Sequence, residues 1–335
     1  MDKRPPPHTV RPTVQGLLLS LFFMFGMSAT IRAQAVEPLK IAVSRSPLSL
    51  PFFVAEKNGY FAAEGVSVKT SEAIGGHRAL QLLLSGEADL ATSSDAVVMF
   101  NSFKTSDFAV IATFVSSDDD IKLVVRPGAG IVLPNDLVGK RIGTVIGSAS
   151  HYFLDTYLLF QGVDPQEVKV VGLQPEMMAA AMKSGAIDAV AVWEPFPFEL
   201  LQGIDGASLL KSPPAYRLTF NLLASRKIIG IRDDELVGVL HALARAQHFI
   251  RTEPQMAQAI LRSQLKLNQA FIEWIWPSYN YRLTLDQSLL TTLESEGRWA
   301  RRSGHVTAKQ SPNYLDLIYT QPLRTLSPSS VGIVE

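Results

Sequence analysis

The chain of 335 residues contains no cysteine. That absence excludes disulfides, thiolate metal sites, a cysteine nucleophile and a lipidated cysteine behind an export signal. In an oxidising compartment it also removes any risk of mispairing. Net charge is missing too: Lys+Arg and Asp+Glu stand at 31 each, with no basic run, so the overall field favours neither nucleic acid nor an anionic membrane surface. No Gly-x-Ser-x-Gly elbow, phosphate loop or zinc signature is present, which takes away the common sequence marks of a hydrolase, a nucleotide-binding enzyme or a metalloenzyme. No apolar run reaches the roughly 20 residues that a spanning helix needs. The expectation is a monomer that binds a small molecule, with no nucleic acid, no cofactor and no metal.

What is present is 47% apolar and 19% charged residues, the balance of an ordinary globular protein. The length exceeds one usual hydrophobic core, so two domains are expected. The N-terminus differs in kind from the rest. Lys3, Arg4 and Arg11 precede an apolar stretch from Gly16 to Met27, followed by Ala33-Gln34-Ala35. This order reads as a secretory signal over residues 1–35, cleaved near Ala35, leaving Val36 as the first mature residue and the periplasm as the destination.

Internal similarity is the most informative feature. Lys40 to Val43, a helical stretch from Pro51 to Lys57, Val66 to Lys69 and Ala79 to Ala91 recur in order as Arg141 to Val145, Tyr152 to Phe160, Val168 to Val171 and Ala179 to Val190. In each copy the second helix ends at Ser-Gly, because glycine takes the left-handed conformation past the last turn. A strand then begins within three residues. Strands alternating with helices of this length predict βαβ units and a mainly parallel sheet flanked by helices in each of two lobes. Asp89 and Asp188, matched within Ser-Gly-x-x-Asp, are read as turn carboxylates that tie down nearby amides. Ile121 to Val125 and Tyr216 to Ala224 look like the two hinge crossings, placing 36–125 and 221–335 in lobe one and 126–220 in lobe two. From Asp233 onward apolar residues recur at helical spacing, predicting helices that pack on lobe one.

Ligands of such sheets sit beyond the carboxyl ends of the strands. Six loops qualify: Ser44 to Pro51, Glu72 to His77, Thr92 to Asp95, Gly147 to Tyr152, Gly172 to Glu176, and Trp193 to Pro195. Ser148, Ser150 and His151 after Gly147, and the amides at Gly75 and Gly76, suit an anion, since helix starts present free N–H groups. Thr92, Ser93 and Ser94 concentrate hydroxyls after a buried strand, where helix capping by Asp95 is the plainer reading. Ser44 and Arg45 occupy the first loop, and Arg45 could neutralise an anion. Trp193 could wall the ligand or simply join the core, and Glu194 could accept from an amine.

The segments Pro51 to Val66, Leu84 to Asp89, Leu137 to Gly143, Gly147 to His151 and Trp193 to Pro195 resemble the substrate-binding proteins of ABC importers for aliphatic sulfonates, taurine and nitrate, within the superfamily of thiamine-pyrimidine binders. That resemblance implies a two-lobed periplasmic-binding-protein fold of type II, a cleft that closes on its ligand, and docking on a permease with its ATPase subunit. It carries Ser148, Ser150, His151, Trp193 and Glu194 over as ligand contacts, with Thr92, Ser93 and Ser94 behind them. Glu194 departs from a purely anionic ligand and leaves room for an amino-sulfonate, a neutral heterocycle or a hydrogen-bonded acid. The other classes are a solute sensor using the same cleft and an enzyme built on Ser150, His151 and Asp155. Adjacent residues on a helix diverge by about 100°, which argues against that last grouping. The six histidines are scattered in sequence, and only His241 and His248 share a helix face, so metal capture is not expected. Asp118-Asp119-Asp120 reads as a solvated charged loop.

Overall fold

The computed structural model describes residues 1–7, 9, 37–211 and 215–334. The apolar stretch and cleavage site of the expected export signal lie outside the described residues. Among the described residues no helix is long and apolar enough to cross a membrane.

The chain runs β1 (Leu39–Ser44), α1 (Leu50–Lys57), α2 (Tyr60–Ala63), β2 (Val68–Ala73), α3 (Gly76–Leu84), β3 (Leu90–Ser94), α4 (Asp95–Ser102) and β4 (Phe108–Ser117). It crosses to β5 (Ile121–Val125), β6 (Arg141–Thr144), α5 (Ala149–Phe160), β7 (Lys169–Gly172), α6 (Pro175–Lys183), β8 (Ala189–Trp193), α7 (Phe196–Gly203) and β9 (Ser208–Leu209). It returns through β10 (Leu218–Ser225) and ends in α8 (Asp233–Thr252), α9 (Pro254–Leu265), α10 (Gln269–Ile275), α11 (Gln287–Arg302) and α12 (Gln321–Leu326). Two five-stranded sheets result, ordered β2-β1-β3-β10-β4 and β7-β6-β8-β5-β9. In each, three strands are parallel and the remaining pairings are antiparallel.

The expected boundary after Val125 moves. Strand β5 pairs with β8 and β9 in the second sheet, so the chain leaves the first lobe at Asp118 to Asp120. The reason is visible in the side chains: Leu123 and Val125 enter the core beside α5, while Val124 enters the one beside α6 and α7. The same alternation runs along β8, with Ala189 and Ala191 on one face and Val190 and Val192 on the other. Both faces of this sheet are therefore covered, as a parallel core requires.

The duplication extends to hydrogen bonds. Asp89 N–H donates to Lys40 O at 2.8 Å while the Asp89 carboxylate accepts from Lys40 N–H at 2.9 Å. In the second sheet Asp188 N–H donates to Arg141 O at 2.8 Å and its carboxylate accepts from Arg141 N–H at 3.0 Å. Each aspartate thus clamps the start of the first strand to the start of the third. Asp188 adds the Arg141 and Arg126 guanidiniums, and the bonds from Arg141 hold its carboxyl far below the usual carboxylate range.

The C-terminal helices join the first lobe's core. Buried Gln247 on α8 donates to Phe114 O at 2.9 Å and accepts from Leu283 N–H at 3.1 Å, tying helix, sheet and the later chain together. These helices also reach the second lobe, which the sequence pattern did not indicate. Trp274 on α10 donates to Glu194 at 2.7 Å, and Trp299 on α11 donates to Asp155 at 2.9 Å.

Candidate functional site

The carboxyl ends of both sets of strands face one cleft between the lobes. Five of the six loops expected there supply lining residues. The exception is the loop from Gly172 to Glu176, whose Gln174 and Glu176 instead accept from the Arg78 guanidinium at 3.2 and 3.1 Å, a contact between lobes at the surface.

Of the residues singled out from sequence, Ser44, Gly75, Gly76, Ser94, Ser148 and Trp193 line the cleft. The Trp193 ring stands edge-on to His77 at 6.3 Å, and its edge would come within 3.3 Å of a Cβ on Gly75. Gly76 lets the start of α3 lie against β3, since a Cβ there would sit 2.8 Å from Ser93 Cα. Gly76→Ala is expected to destabilise the fold by about 1–3 kcal/mol, because the nearest obstructing atom is backbone. Urea unfolding of this variant beside Gly203→Ala, which meets no neighbour within 4 Å and has no left-handed φ, separates packing from the cost of losing glycine.

The other six residues turn away from the cleft. Thr92 and Ser93 are fully buried; the first accepts from Ser44 N–H at 2.7 Å and the second donates to Gly76 O at 3.1 Å. Their hydroxyls position the loops. Ser150 is spent between Thr144 and Ser148, each at 2.9 Å. His151 faces His305 and Trp299, and burial together with His305 holds it down at about 4. Ser150 and His151 thus point to different partners, as adjacent helical positions must. Arg45 is at the surface with Glu72 at 3.5 Å. Glu194 is fully buried, 3.1 Å from Lys122 Nζ, and accepts from Trp274 and from Phe198 N–H. Burial pushes its carboxyl up, and Lys122 opposes that most strongly.

Capping at α4 differs from expectation. Ser94 is the cap, accepting from Val97 N–H at 3.4 Å. Asp95 anchors β10 instead, accepting from Thr219 N–H and Oγ1–H at 3.0 Å and from the Tyr216 hydroxyl. Its burial pushes it up to about 6.

Sequence reasoning missed Ser46, His77 and Asp120. Ser44 Oγ, Ser46 Oγ and Asp120 Oδ2 are buried in the cleft lining without a hydrogen-bond partner among the described residues. Asp120 Oδ1 accepts from the Tyr279 hydroxyl at 2.7 Å. Burial pushes this carboxyl up to about 7, with Tyr279 and Lys122 opposing and Glu194 reinforcing. The charged triplet is therefore solvated only at Asp118 and Asp119; Asp120 is 1% exposed because the crossing between lobes carries it inward. His77 is held below its ordinary value by burial and by the neighbouring Arg78, with Glu176 opposing.

Chemically, the cleft offers hydroxyls and helix-start amides from both lobes, a carboxyl at the hinge, and an apolar midsection of Leu48, Val97, Ile121, Leu218 and Phe220. Amides at the starts of α3 and α5 lack intrahelical acceptors and favour anions.

Comparison with known proteins agrees with this architecture. The chain is 32% identical over 183 residues to a taurine-binding periplasmic protein of Escherichia coli, spanning about half (53%) of that relative's length and 53% of its own. It is 27% identical over 243 residues to a putative aliphatic sulfonates-binding protein of Bacillus subtilis, covering 69% of this chain and 71% of the relative. The alkanesulfonate-binding protein of Xanthomonas axonopodis pv. citri bound to MOPS shares the fold at a TM-score of 0.72 and 19% identity, over 85% of this chain and 100% of that one. The model of the NMT1/THI5-like family matches residues 46–257, and the chain belongs to that family.

Proposed function

We propose that this chain is an extracytoplasmic solute-capturing component of an ABC importer, taking a small organic sulfonate, and in particular an amino-sulfonate of taurine's size, by closing its lobes. The ligand bridges both lobes without chemical change, and the closed form is what the permease and its ATPase engage. One observation carries the reading: buried polar groups in folded proteins have partners, and Ser44 Oγ, Ser46 Oγ and Asp120 Oδ2 line a single cleft without one among the described residues. A sulfonate meets the hydroxyls and the helix-start amides, a two-carbon chain meets the apolar midsection, and an ammonium meets Asp120. The taurine-binding relative supports this assignment, as does the MOPS bound by the structural neighbour, itself a cyclic amine joined to a sulfonate. Ser150, the nucleophile of the enzyme grouping with His151 and Asp155, is committed to Thr144 and Ser148.

A thermal-shift and calorimetric series tests the reading with taurine, ethanesulfonate, nitrate and an aminomethyl-pyrimidine. Taurine at about 100 times its dissociation constant should stabilise the fold by roughly 2.7 kcal/mol. Ethanesulfonate, lacking the ammonium, should bind at least about tenfold more weakly, which corresponds to about 1.4 kcal/mol. A shift with the pyrimidine alone would replace the sulfonate reading. No shift with any of the four would leave the cargo class wrong.

A further inference from the structure

Outside the cleft, two side chains of α5 meet a third from far along the chain at a second junction of the lobes. His151 and Asp155 lie one turn apart on α5, and His305 follows the end of α11. The two imidazole centroids are 4.3 Å apart, and His305 Nε2 is 3.6 Å from Asp155 Oδ2. One ligand atom from each residue lies within 4.8 Å of the others. We propose that His151, Asp155 and His305 form a binding site for a divalent transition metal of zinc's class, joining α5 of the second lobe to the chain behind α11.

The donor set selects the class of metal. Two imidazoles with one carboxylate suit zinc and its borderline neighbours, whereas calcium and magnesium take oxygen ligands. Metal-to-ligand distances near 2.1 Å require donors about 3.4 Å apart in a tetrahedral site. The present spacing therefore asks for a contraction of about an ångström, which the half-turned-out His305 can supply by rotation because its side chain is 26% exposed. The other two residues are already fixed. Asp155 is held by Trp299 Nε1–H at 2.9 Å, the kind of outer-shell donor that orients a ligating carboxylate. On His151 the hydrogen bond seen is a long one, from Gly147 N–H to Nδ1 at 3.4 Å, so coordination there displaces little. An open surface pocket, lined also by Asp164 and Arg302, gives onto the three residues. It gives a metal its path in and leaves the fourth position to water.

The test is titration of the metal-free protein with Zn²⁺ alone by calorimetry against a chelator of known affinity, with Co²⁺ as a spectroscopic probe. The expected result is one equivalent bound and tetrahedral-type visible bands with Co²⁺. His305→Ala should weaken binding at least about a hundredfold while leaving the metal-free melting temperature unchanged, and His305→Gln should do the same. His248→Ala, on α8, should bind like the wild type. Failure to bind Zn²⁺, or equal affinity in the His305 variants, would overturn the site. Neither readout involves the cleft ligand, so the outcome is independent of what the cleft captures.

Discussion

Replacing Lys122 by methionine should destabilise the protein by about 3–5 kcal/mol, the usual consequence of stripping one partner from a buried ion pair. Lys122 and Glu194 are 7% and 0% exposed and 3.1 Å apart. The ammonium also contacts the Asp119 carboxylate at 3.3 Å and stands 5.4 Å from the centroid of the Trp274 ring. Without it, Glu194 keeps only the Trp274 and Phe198 N–H donors among the described residues. Burial already pushes the Glu194 carboxyl above its ordinary value, and losing the cation drives it further. A carboxyl whose folded value is raised binds its proton more tightly when native, so the penalty grows as pH rises above the ordinary 4.5. Urea unfolding at pH 5 and pH 8 should show a larger loss at pH 8. Adding Glu194→Gln to Lys122→Met should recover most of that loss, because no buried charge remains uncompensated. A single-variant loss below about 1 kcal/mol would mean that water reaches the pair and screens it.

The same pair explains where sequence reasoning stopped. Glu194 sits at a strand end where ligands are expected, so its position was correctly read and its direction was not. Along a strand, side chains alternate faces, and a one-residue difference sends Trp193 into the cleft and Glu194 toward Lys122. Nothing local announces that Lys122, on a strand 72 positions away in the chain, pairs beside it. Repeats were legible because both copies solve the same problem: Gly86 and Gly185 both take left-handed φ values of 82° and 73°, and both are followed by an aspartate clamp. Hinge strand β5 was misplaced because a strand buried on both faces reads as an unbroken apolar run, which says nothing about which sheet it joins. His151 and His305 were called scattered for the complementary reason: 154 positions separate them, and the contact between α5 and the end of α11 is made by tertiary packing alone.

Asp120→Asn should lower affinity for taurine by about 30- to 1,000-fold, or 2–4 kcal/mol, while changing affinity for ethanesulfonate by less than about threefold. Asparagine keeps the shape and still accepts from the Tyr279 hydroxyl, so the variant removes the charge and little else. In the wild type the carboxyl stands at about 7 in the free protein against an ordinary 3.8. The native state therefore holds this proton more tightly than the unfolded chain does. Its contribution favours folding at low pH and fades as pH rises from about 4 to 7, by at most about 4 kcal/mol. The asparagine variant lacks this dependence and should be the more stable protein at pH 7.5 when no ligand is bound. Capture of an ammonium reverses the preference, because a cation beside Asp120 Oδ2 favours the carboxylate. Taurine binding should thus release a proton near pH 7, visible as a buffer-dependent calorimetric heat, and affinity should strengthen as pH rises through that value. If affinity instead weakens over the same range and ethanesulfonate binds as well as taurine, the protonated carboxyl is donating to the sulfonate. The hinge aspartate would then select for the anionic end of the cargo rather than the cationic one.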